Sequence, residues 1–312
     1  MPEAGERRDG RLRIDMAALH PALQPDGTGR YHGDCQRLRD AIKVQLREAM
    51  EIEHELYLTA NATAGLMVAV AGLALDGIKL NLDGARYPGY APLRRHGAGL
   101  QVPGTATFLT HVDPLSGRVT EPAGISGLSV VDASQSFGTV CRHAEAFRAD
   151  VVISGLHKHA GIAAGVGVLA IGKDADCAGL RRAAAAAERG TVALPVLEGA
   201  LARCSGHRPK LFNRLVLSVR DDLIRQLADR GLEVLTPAGA NLPFVCLKGE
   251  LPKDVGVRCA SAGFSAKLFP EEGVMRMSGH APGRSDSPML DRSDSLADLL
   301  MSLTQEDVCD AG

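Results

Sequence analysis

Three short apolar runs in the middle of the chain constrain the fold more than any other feature: residues 127–134 (GLSVVDAS), 149–155 (ADVVISG) and 164–172 (AGVGVLAIG). Runs of this length, rich in Val and Ile and bounded by glycine, predict buried β-strands. The interval between the second and third runs is too short for a crossover helix. We therefore expect these two strands to be antiparallel neighbours, a reversal inside a sheet that is otherwise parallel.

Helical patterns surround these runs. Residues 34–54 predict an amphipathic surface helix and residues 64–75 a buried apolar helix. Two further helices are expected on either side of Gly190, the second with Pro195 early in it. Strands that alternate with helices predict an α/β domain with a mostly parallel, mixed sheet.

After Pro195 the pattern changes to a helix over residues 211–231, strands at EVLTP and LPFVCLKG, and a final helix. This predicts a smaller α+β domain. We expect a loose N-terminal arm (1–30), a large domain (31–195) and a small C-terminal domain (196–312).

Charge and composition exclude several classes of function. A hydrophobic content of 45% is typical of a folded globular chain, and a net charge of −2 gives no basic field for nucleic acid. The longest apolar stretch, residues 62–75, is too short to span a membrane. The first thirty residues have no apolar segment like that of a signal peptide, so we expect a cytoplasmic protein. The seven cysteines show no CxxC pair, so we expect reduced thiols and no metal site.

Polar side chains follow two of the predicted strands. Asp132 and Gln135 come at the end of the first run, and His157 and Lys158 follow the second. Ligands of open α/β sheets bind beyond the carboxyl ends of the strands, so these groups should meet at one edge. Thr63 begins the apolar helix, where free backbone N–H groups favour an anion such as phosphate.

A lysine, a carboxylate and an anion-binding helix start are what pyridoxal 5'-phosphate (PLP) requires. Its aldehyde forms a Schiff base with lysine, its ring nitrogen pairs with a carboxylate, and its phosphate needs donors. Each residue alone has an ordinary interpretation, because Asp forms turns, Lys is solvated and Thr caps helices. Their order and spacing, with Lys158 26 residues after Asp132, favour the cofactor site.

The segments VVDASQSFG and ADVVISGLHKHAGIAAGVGVLAIG resemble the core of the class V aminotransferase family. Its members include alanine–glyoxylate aminotransferases, cysteine desulfurases and isopenicillin N epimerase-like proteins. Three further segments, TFLTHVDPLSGRVTEP, ERGTVALPVLEGALA and GVMRMSGHAPG, are similar to family segments in the same order. The resemblance covers roughly residues 32–290 and implies a fold-type I PLP-dependent enzyme and a homodimer.

The resemblance also implies roles for individual residues. Lys158 would form the Schiff base and later move the proton at the substrate Cα. Asp132 would pair with the pyridinium nitrogen, and Gln135 would lie at the phenolic oxygen of the ring. Thr63, Ser154 and His157 would hold the phosphate, and Thr191 would do so from across the dimer interface. Asn61 and Ala62 would also bind the cofactor.

Two further positions are expected to contact the ring and the substrate. Tyr87, in a Tyr-Pro-Gly-Tyr turn, is the choice for the residue that stacks on the ring, with Tyr90 as the alternative. Arg276 matches the arginine that binds the substrate carboxylate, because a guanidinium suits bidentate recognition. Arg284 is a weaker possibility.

Several positions depart from the family pattern. Desulfurases carry a nucleophilic cysteine on a mobile loop, whereas Cys259 follows Arg258 at what looks like a strand end and is expected to be buried and inert. His159, directly after the lysine, matches no standard role; it could polarise the site or face solvent, and we expect it to face solvent. His111 receives no assignment.

The expected activity is amino-group transfer at the Cα of an amino acid or small amine. A lyase that catalyses β- or γ-elimination, including C–S cleavage, is the nearest alternative, followed by an epimerase. A non-catalytic scaffold that retains the fold is the alternative from another class. The sequence leaves the substrate side chain and the amino acceptor open.

Overall fold

In the computed structural model, the described residues are 28–85, 87–91, 93–94, 104–205 and 211–304. Most of the predicted N-terminal arm lies outside these residues. The helices are α1 (Thr28–Met50), α2 (Ala62–Leu75), α3 (His143–Ala146), α4 (Ala178–Thr191), α5 (Leu194–Cys204), α6 (Asp221–Ala228), α7 (Val255–Ser261) and α8 (Ser293–Leu303). A 3₁₀ turn covers Pro88–Tyr90. None of the described helices is long and apolar enough to cross a membrane.

The strands fall into one six-stranded sheet, one four-stranded sheet and two short pairs. They are β1 (Glu55–Thr59), β2 (Ile78–Gly84), β3 (Gly104–Thr110), β4 (Ser129–Asp132), β5 (Val151–Gly155), β6 (Gly167–Ile171), β7 (Phe212–Asn213), β8 (Leu215–Val216), β9 (Leu232–Val234), β10 (Phe244–Gly249), β11 (Ser265–Phe269), β12 (Val274–Ser278), β13 (Pro282–Gly283) and β14 (Leu290–Asp291).

The six-stranded sheet has the order β1-β6-β5-β4-β3-β2. Its strands β2 to β5 pair in parallel, whereas β6 is antiparallel to both β5 and β1. The predicted reversal between β5 and β6 is therefore confirmed. The mixed, mostly parallel sheet is also as expected.

Both faces of this sheet are buried, as β5 illustrates. Val152 belongs to the core that contains α1 and α5, while Val151 and Ile153 belong to the core beneath α2 and α4. This explains why the strands are apolar at successive positions rather than at alternate ones. The strand ends are the places where polar side chains emerge.

The second sheet has the order β11-β12-β10-β9, and all its pairs are antiparallel. The helices α6, α7 and α8 pack on one face. The other face meets the loop after β3, where Val112 packs with Phe244, Cys246 and Val274. This contact brings the second sheet against the edge of the first sheet at which β3 and β4 end.

One detail differs from the sequence predictions. The helix predicted over residues 211–231 is wrong in its first half, because β7 and β8 occupy this segment and only α6 is helical. Those strands pair with β13 and β14, and Asn213 Oδ1 accepts hydrogen bonds from the N–H groups of Leu215 and Ala281. In addition α5, which spans the predicted domain boundary at residue 195, packs on α1 through Leu197 and Ala200.

Candidate functional site

A cleft of about 370 Å³ lies where the two sheets meet. It is lined by the start of α2, by the ends of β3, β4 and β5, and by strands β11 and β12. The lining residues are Asn61, Ala62, Thr63, Tyr87, Tyr90, Thr110, Val112, Pro114, Asp132, Ser134, Gln135, Gly155, His157, Lys158, Lys267, Phe269 and Arg276. Most of the residues selected from the sequence therefore share one cavity.

The start of α2 forms one part of the cleft. Asn61 is its N-cap, and the side-chain Oδ1 accepts a hydrogen bond from the Ala64 N–H at 2.8 Å. The N–H of Gly65 donates to the carbonyl of Asn61, which closes the first helical turn. The N–H groups of Ala62 and Thr63 precede this turn, so they have no acceptor within the helix. These two groups, the Thr63 hydroxyl and the helix dipole make this part of the cleft suited to an anion.

Asp132 ends β4 and is buried. Its Oδ1 accepts a hydrogen bond from the Ser134 N–H at 2.8 Å, and its Oδ2 accepts one from the Tyr90 hydroxyl at 2.8 Å. Burial, followed by the charge of Asp132, raises the pKa of the Tyr90 hydroxyl, so it stays protonated as a donor. The carboxylate is thus held in one orientation at the cleft wall.

Lys158 follows β5 and is partly buried in the cleft. Burial lowers the pKa of its amine, the negative charge of Asp132 opposes this shift, and the positive charges of Arg276 and Lys267 add to it. A lysine with a lowered pKa is more often unprotonated at neutral pH, and the unprotonated amine is the nucleophile. Lys158 therefore has the electrostatic setting of a reactive amine.

Gln135 links Lys158 to two other groups. With its amide oxygen turned toward the cations, Oε1 accepts hydrogen bonds from Lys158 Nζ at 2.9 Å and from Arg276 Nη1 at 3.2 Å. In this orientation the amide nitrogen of Gln135 lies 3.4 Å from Nε2 of His159. The amide thus connects the lysine, the arginine and a buried imidazole.

His159 does not face solvent, so that expectation is wrong. Its ring is buried, with Nδ1 at 3.5 Å from the amide nitrogen of Asn213, and it stacks on Phe244 with the ring centroids 6.4 Å apart. Burial, with the positive charge of Lys158 next, lowers its pKa to about 3, so the imidazole is neutral. Its place behind Gln135 depends on β7 and β10, which only the tertiary structure brings there.

Arg276 lies on β12 between two aromatic rings. Its guanidinium carbon is 5.4 Å from the Phe244 centroid and 5.5 Å from that of Phe269. Nη1 donates to the carbonyl of Pro114 at 3.4 Å, and the buried Nε has no hydrogen-bond partner among the described residues. The guanidinium is held in place and retains a free donor.

Tyr87 and Tyr90 both line the cleft, with their rings edge to face at 5.2 Å. Tyr87 is 44% exposed, whereas Tyr90 is buried and its hydroxyl donates a hydrogen bond to Asp132. Tyr87 therefore has the freer ring and Tyr90 the fixed one.

Three predicted positions do not line the cleft. Ser154 is fully buried and its hydroxyl donates to the carbonyl of Gly155. Thr191 ends α4, and its buried Oγ1 has no hydrogen-bond partner among the described residues. Arg284 is exposed and pairs with Asp286 at 3.1 Å. Within one chain, none of the three side chains lines the cleft.

Cys259 and His111 lie outside the cleft lining, and both are buried. Cys259 is buried, as expected, but it lies on helix α7 rather than at a strand end, and burial raises the pKa of its thiol. His111 is completely buried, with Nδ1 at 2.8 Å from the Ser136 hydroxyl.

Sequence reasoning missed Lys267, Phe269 and Pro114 at the cleft. Lys267 and Phe269 belong to β11, where alternate residues share one face of the sheet. The alternation in SAKLF was a usable signal for this shared face, but the pairing of β11 with β12 could be known only from the fold.

Comparison with solved structures identifies the fold. A cysteine desulfurase from Thermococcus onnurineus NA1, in its apo form, superposes with a TM-score of 0.58 at 13% identity, covering 93% of this chain and 88% of that chain. The C-DES protein, with glycine covalently linked to its PLP cofactor, gives 0.56 at 16% identity, covering 91% and 88%. An aspartate aminotransferase of subgroup IV from Thermus thermophilus gives 0.52 at 17% identity, covering 88% and 92%.

The fold is thus the one that these solved structures share, the fold-type I architecture expected from the sequence motifs. A search among curated proteins finds no match. Residues 14–306 match the family model described as a family of unknown function, DUF6024. The chain belongs to this family.

Proposed function

We propose that the protein is a PLP-dependent enzyme that acts at the Cα of an amino acid or small amine, with Lys158 as the covalent anchor of the cofactor. The observation that carries this proposal is a lysine of lowered pKa in the same cleft as a carboxylate and the start of helix α2, where the N–H groups of Ala62 and Thr63 have no acceptor within the helix. The neighbours of low identity contribute the fold only.

The residues present fit the cofactor. The N–H groups of Ala62 and Thr63 and the Thr63 hydroxyl suit its phosphate, with His157 beside them in the cleft wall. Asp132 suits the ring nitrogen, and Tyr87 offers an exposed ring face for stacking. Ser154 is left out of this set because its buried hydroxyl donates a hydrogen bond to the carbonyl of Gly155.

When bound, PLP supplies an electron sink for the pair of electrons left at the substrate Cα. The protein's own groups do the rest. Asp132, held by Ser134 and Tyr90, would pair with the ring nitrogen. Lys158 Nζ would take or return the proton at the substrate Cα. Arg276 binds the substrate carboxylate and so orients the Cα–H bond.

Amino-group transfer is the reaction we propose, with elimination as the second candidate. The buried setting of Cys259 on α7, with a raised thiol pKa, disfavours persulfide chemistry at that residue. Among the described residues, none of the other thiols lines the cleft, and Cys246, whose Sγ lies 3.6 Å from the carbonyl of the lining residue Pro114, is buried.

Absorbance spectroscopy tests the cofactor. Protein mixed with PLP and then desalted should retain a visible absorbance band, and Lys158→Ala should lose it. Lys248→Ala is the matched control, because Lys248 is an exposed lysine on β10 outside the cleft. A wild-type protein that retains no colour would contradict the proposal.

A screen with single amino acids then separates the two reactions. Transfer predicts one equivalent of keto acid per site without ammonia, and a lasting change of the spectrum. Elimination predicts ammonia together with a keto acid, and return of the original spectrum. A coloured protein whose spectrum responds to no amino acid would favour the non-catalytic scaffold.

A further inference from the structure

Two cationic side chains lie side by side where the four-stranded sheet lines the cleft. Lys267 on β11 and Arg276 on β12 are directly opposite each other in the antiparallel register, and both line the cleft. Like charges directly opposite on one face destabilise a sheet. An anion bound between the two side chains would therefore be stabilised by both charges.

The described part of the chain supplies no carboxylate to this pair. Neither side chain forms an ion pair with a described residue: Lys267 Nζ lies 4.9 Å from the Phe269 centroid, and Arg276 contacts aromatic rings and neutral oxygens. Asp132 is the only acidic residue among the described lining, and it forms no ion pair with Lys267 or Arg276.

The unpaired donors point to a ligand with two negative groups. Arg276 retains a buried Nε without a described partner, and Lys267 is exposed to the cleft with its three donors. A single α-carboxylate at Arg276 would leave the neighbouring ammonium uncompensated.

We propose that the substrate is an amino acid whose side chain carries a second acidic group, held by Lys267 while Arg276 binds the α-carboxylate. This inference rests on the proposed function, because it assumes that the cleft binds an amino acid. Lys267 is then a residue that determines specificity. The shared chemistry is an anionic side chain, either carboxylate or phosphate.

Binding of unreactive acids tests the inference without turnover. Calorimetry on the cofactor-loaded protein compares succinate with its monoamide and glutarate with its monoamide. The wild type should bind the better diacid about tenfold more tightly than its amide, the effect of one charge-assisted hydrogen bond. Lys267→Met should lose this preference, Lys267→Arg should keep most of it, and Lys248→Met should leave it unchanged.

Pairs of amino acids, one with an acidic side chain and one with its neutral counterpart, distinguish carboxylate from phosphate. Aspartate is compared with asparagine, glutamate with glutamine, and O-phosphoserine with serine, each by the concentration that produces half of the spectral change. A preference for either acidic class that disappears in Lys267→Met supports the inference and names the group.

The failure of this inference can be told from that of the proposed function. A wild-type protein and a Lys267→Met variant that both show the cofactor band, but bind acid and amide equally, would overturn the inference alone. Retention of the acid preference in Lys267→Met would also overturn it. Absence of the band in the wild type would instead reject the proposed function.

Discussion

At the scale of single residues, Lys158 is subject to opposing charges. Burial lowers the pKa of its amine first, Asp132 acts to raise it, and Arg276 and Lys267 act to lower it. The balance determines how much unprotonated amine is present at neutral pH. Because each neighbour acts in a known direction, the direction in which each substitution changes the pKa of Lys158 can be predicted.

Changing these neighbours should shift the pKa of Lys158 in opposite directions. Asp132→Asn removes the charge that raises it and should lower the pKa further, whereas Arg276→Gln and Lys267→Met should raise it. Labelling of the cofactor-free protein with acetic anhydride across a pH series, quantified by mass spectrometry, gives the pKa. A shift of one unit changes the labelling rate about tenfold at a pH below the pKa.

Lys248, exposed on β10, is the internal reference for this labelling. A rise in the pKa of Lys158 in Asp132→Asn, or no change in all three variants, would contradict the electrostatic account.

Residues at strand ends could be predicted from the sequence, and residues that depend on strand pairing could not. Asp132 and Lys158 follow apolar runs, so the topology of an open sheet places them at one edge. Lys267 reaches the cleft only because β11 pairs with β12, and His159 is buried only because Asn213 and Phe244 come from distant segments.

At the scale of elements, α2 is placed by close packing against α4. An ideal Cβ at Gly72 would lie 2.7 Å from the Cα atom of Leu180, closer than real atoms approach. The backbones of the two helices therefore meet at this point. Because α2 begins at the cleft, this contact also fixes the position of the Thr63 N–H group.

Gly72→Ala should therefore destabilise the protein even though alanine favours helices. We expect a loss of about 1–3 kcal/mol in the free energy of unfolding, typical of overpacking. Urea denaturation followed by circular dichroism measures it. Gly199→Ala on α5 is the matched control, since no atom lies within 4 Å of its ideal Cβ; it should be neutral or stabilising by up to about 1 kcal/mol. Equal effects of the two substitutions would contradict this packing.

The reversed strand β6 could be predicted because the linking loop is too short for a helix. The segment at β7 and β8 could not, since its helical periodicity is overridden by pairing with β13 and β14 and by the hydrogen bonds of Asn213. The direction of β6 thus follows from the local sequence, whereas the strands β7 and β8 depend on contacts with distant segments.

At the scale of the whole molecule, α2 exposes an apolar stripe. Met67 is 55% exposed and Leu75 is 65% exposed, and with Ala71 they recur every fourth residue on one face. The helix that carries this stripe begins at the cleft. We expect the stripe to pack against a second copy of the chain, in line with the homodimer that the family resemblance implies.

Met67→Glu should therefore weaken the dimer, because a buried unpaired charge at an interface is costly. Sedimentation velocity at micromolar protein concentration measures the change. Val257→Glu is the control, because Val257 is 68% exposed on α7, away from the stripe. A Met67→Glu protein that sediments as the wild-type dimer does, or a wild type that is monomeric, would contradict the expectation.

Buried neutral histidines predict how stability depends on pH. Burial lowers the pKa of His143 and that of His111 from 6.5 to about 4. The unfolded chain therefore binds more protons between these values, so stability is complete above pH 6.5 and is lost as the pH falls toward 4. Each histidine contributes at most about 1.4 kcal/mol per pH unit in this range.

Urea denaturation at a series of pH values checks this prediction. His143→Phe should reduce the slope of stability against pH between 6.5 and 4, even if its stability at neutral pH is lower. His32→Asn, at an exposed side chain on α1, is the control and should leave the slope unchanged. A slope that is the same in the wild type and in His143→Phe would contradict the assignment.

Reductive trapping with borohydride locates the bond between the protein and PLP. The protein is incubated with PLP, reduced with borohydride, digested, and its lysine-containing peptides are analysed by mass spectrometry. We expect one pyridoxyl group per chain, on Lys158. Modification spread over exposed lysines, or none above the level found in Lys158→Ala, would contradict it.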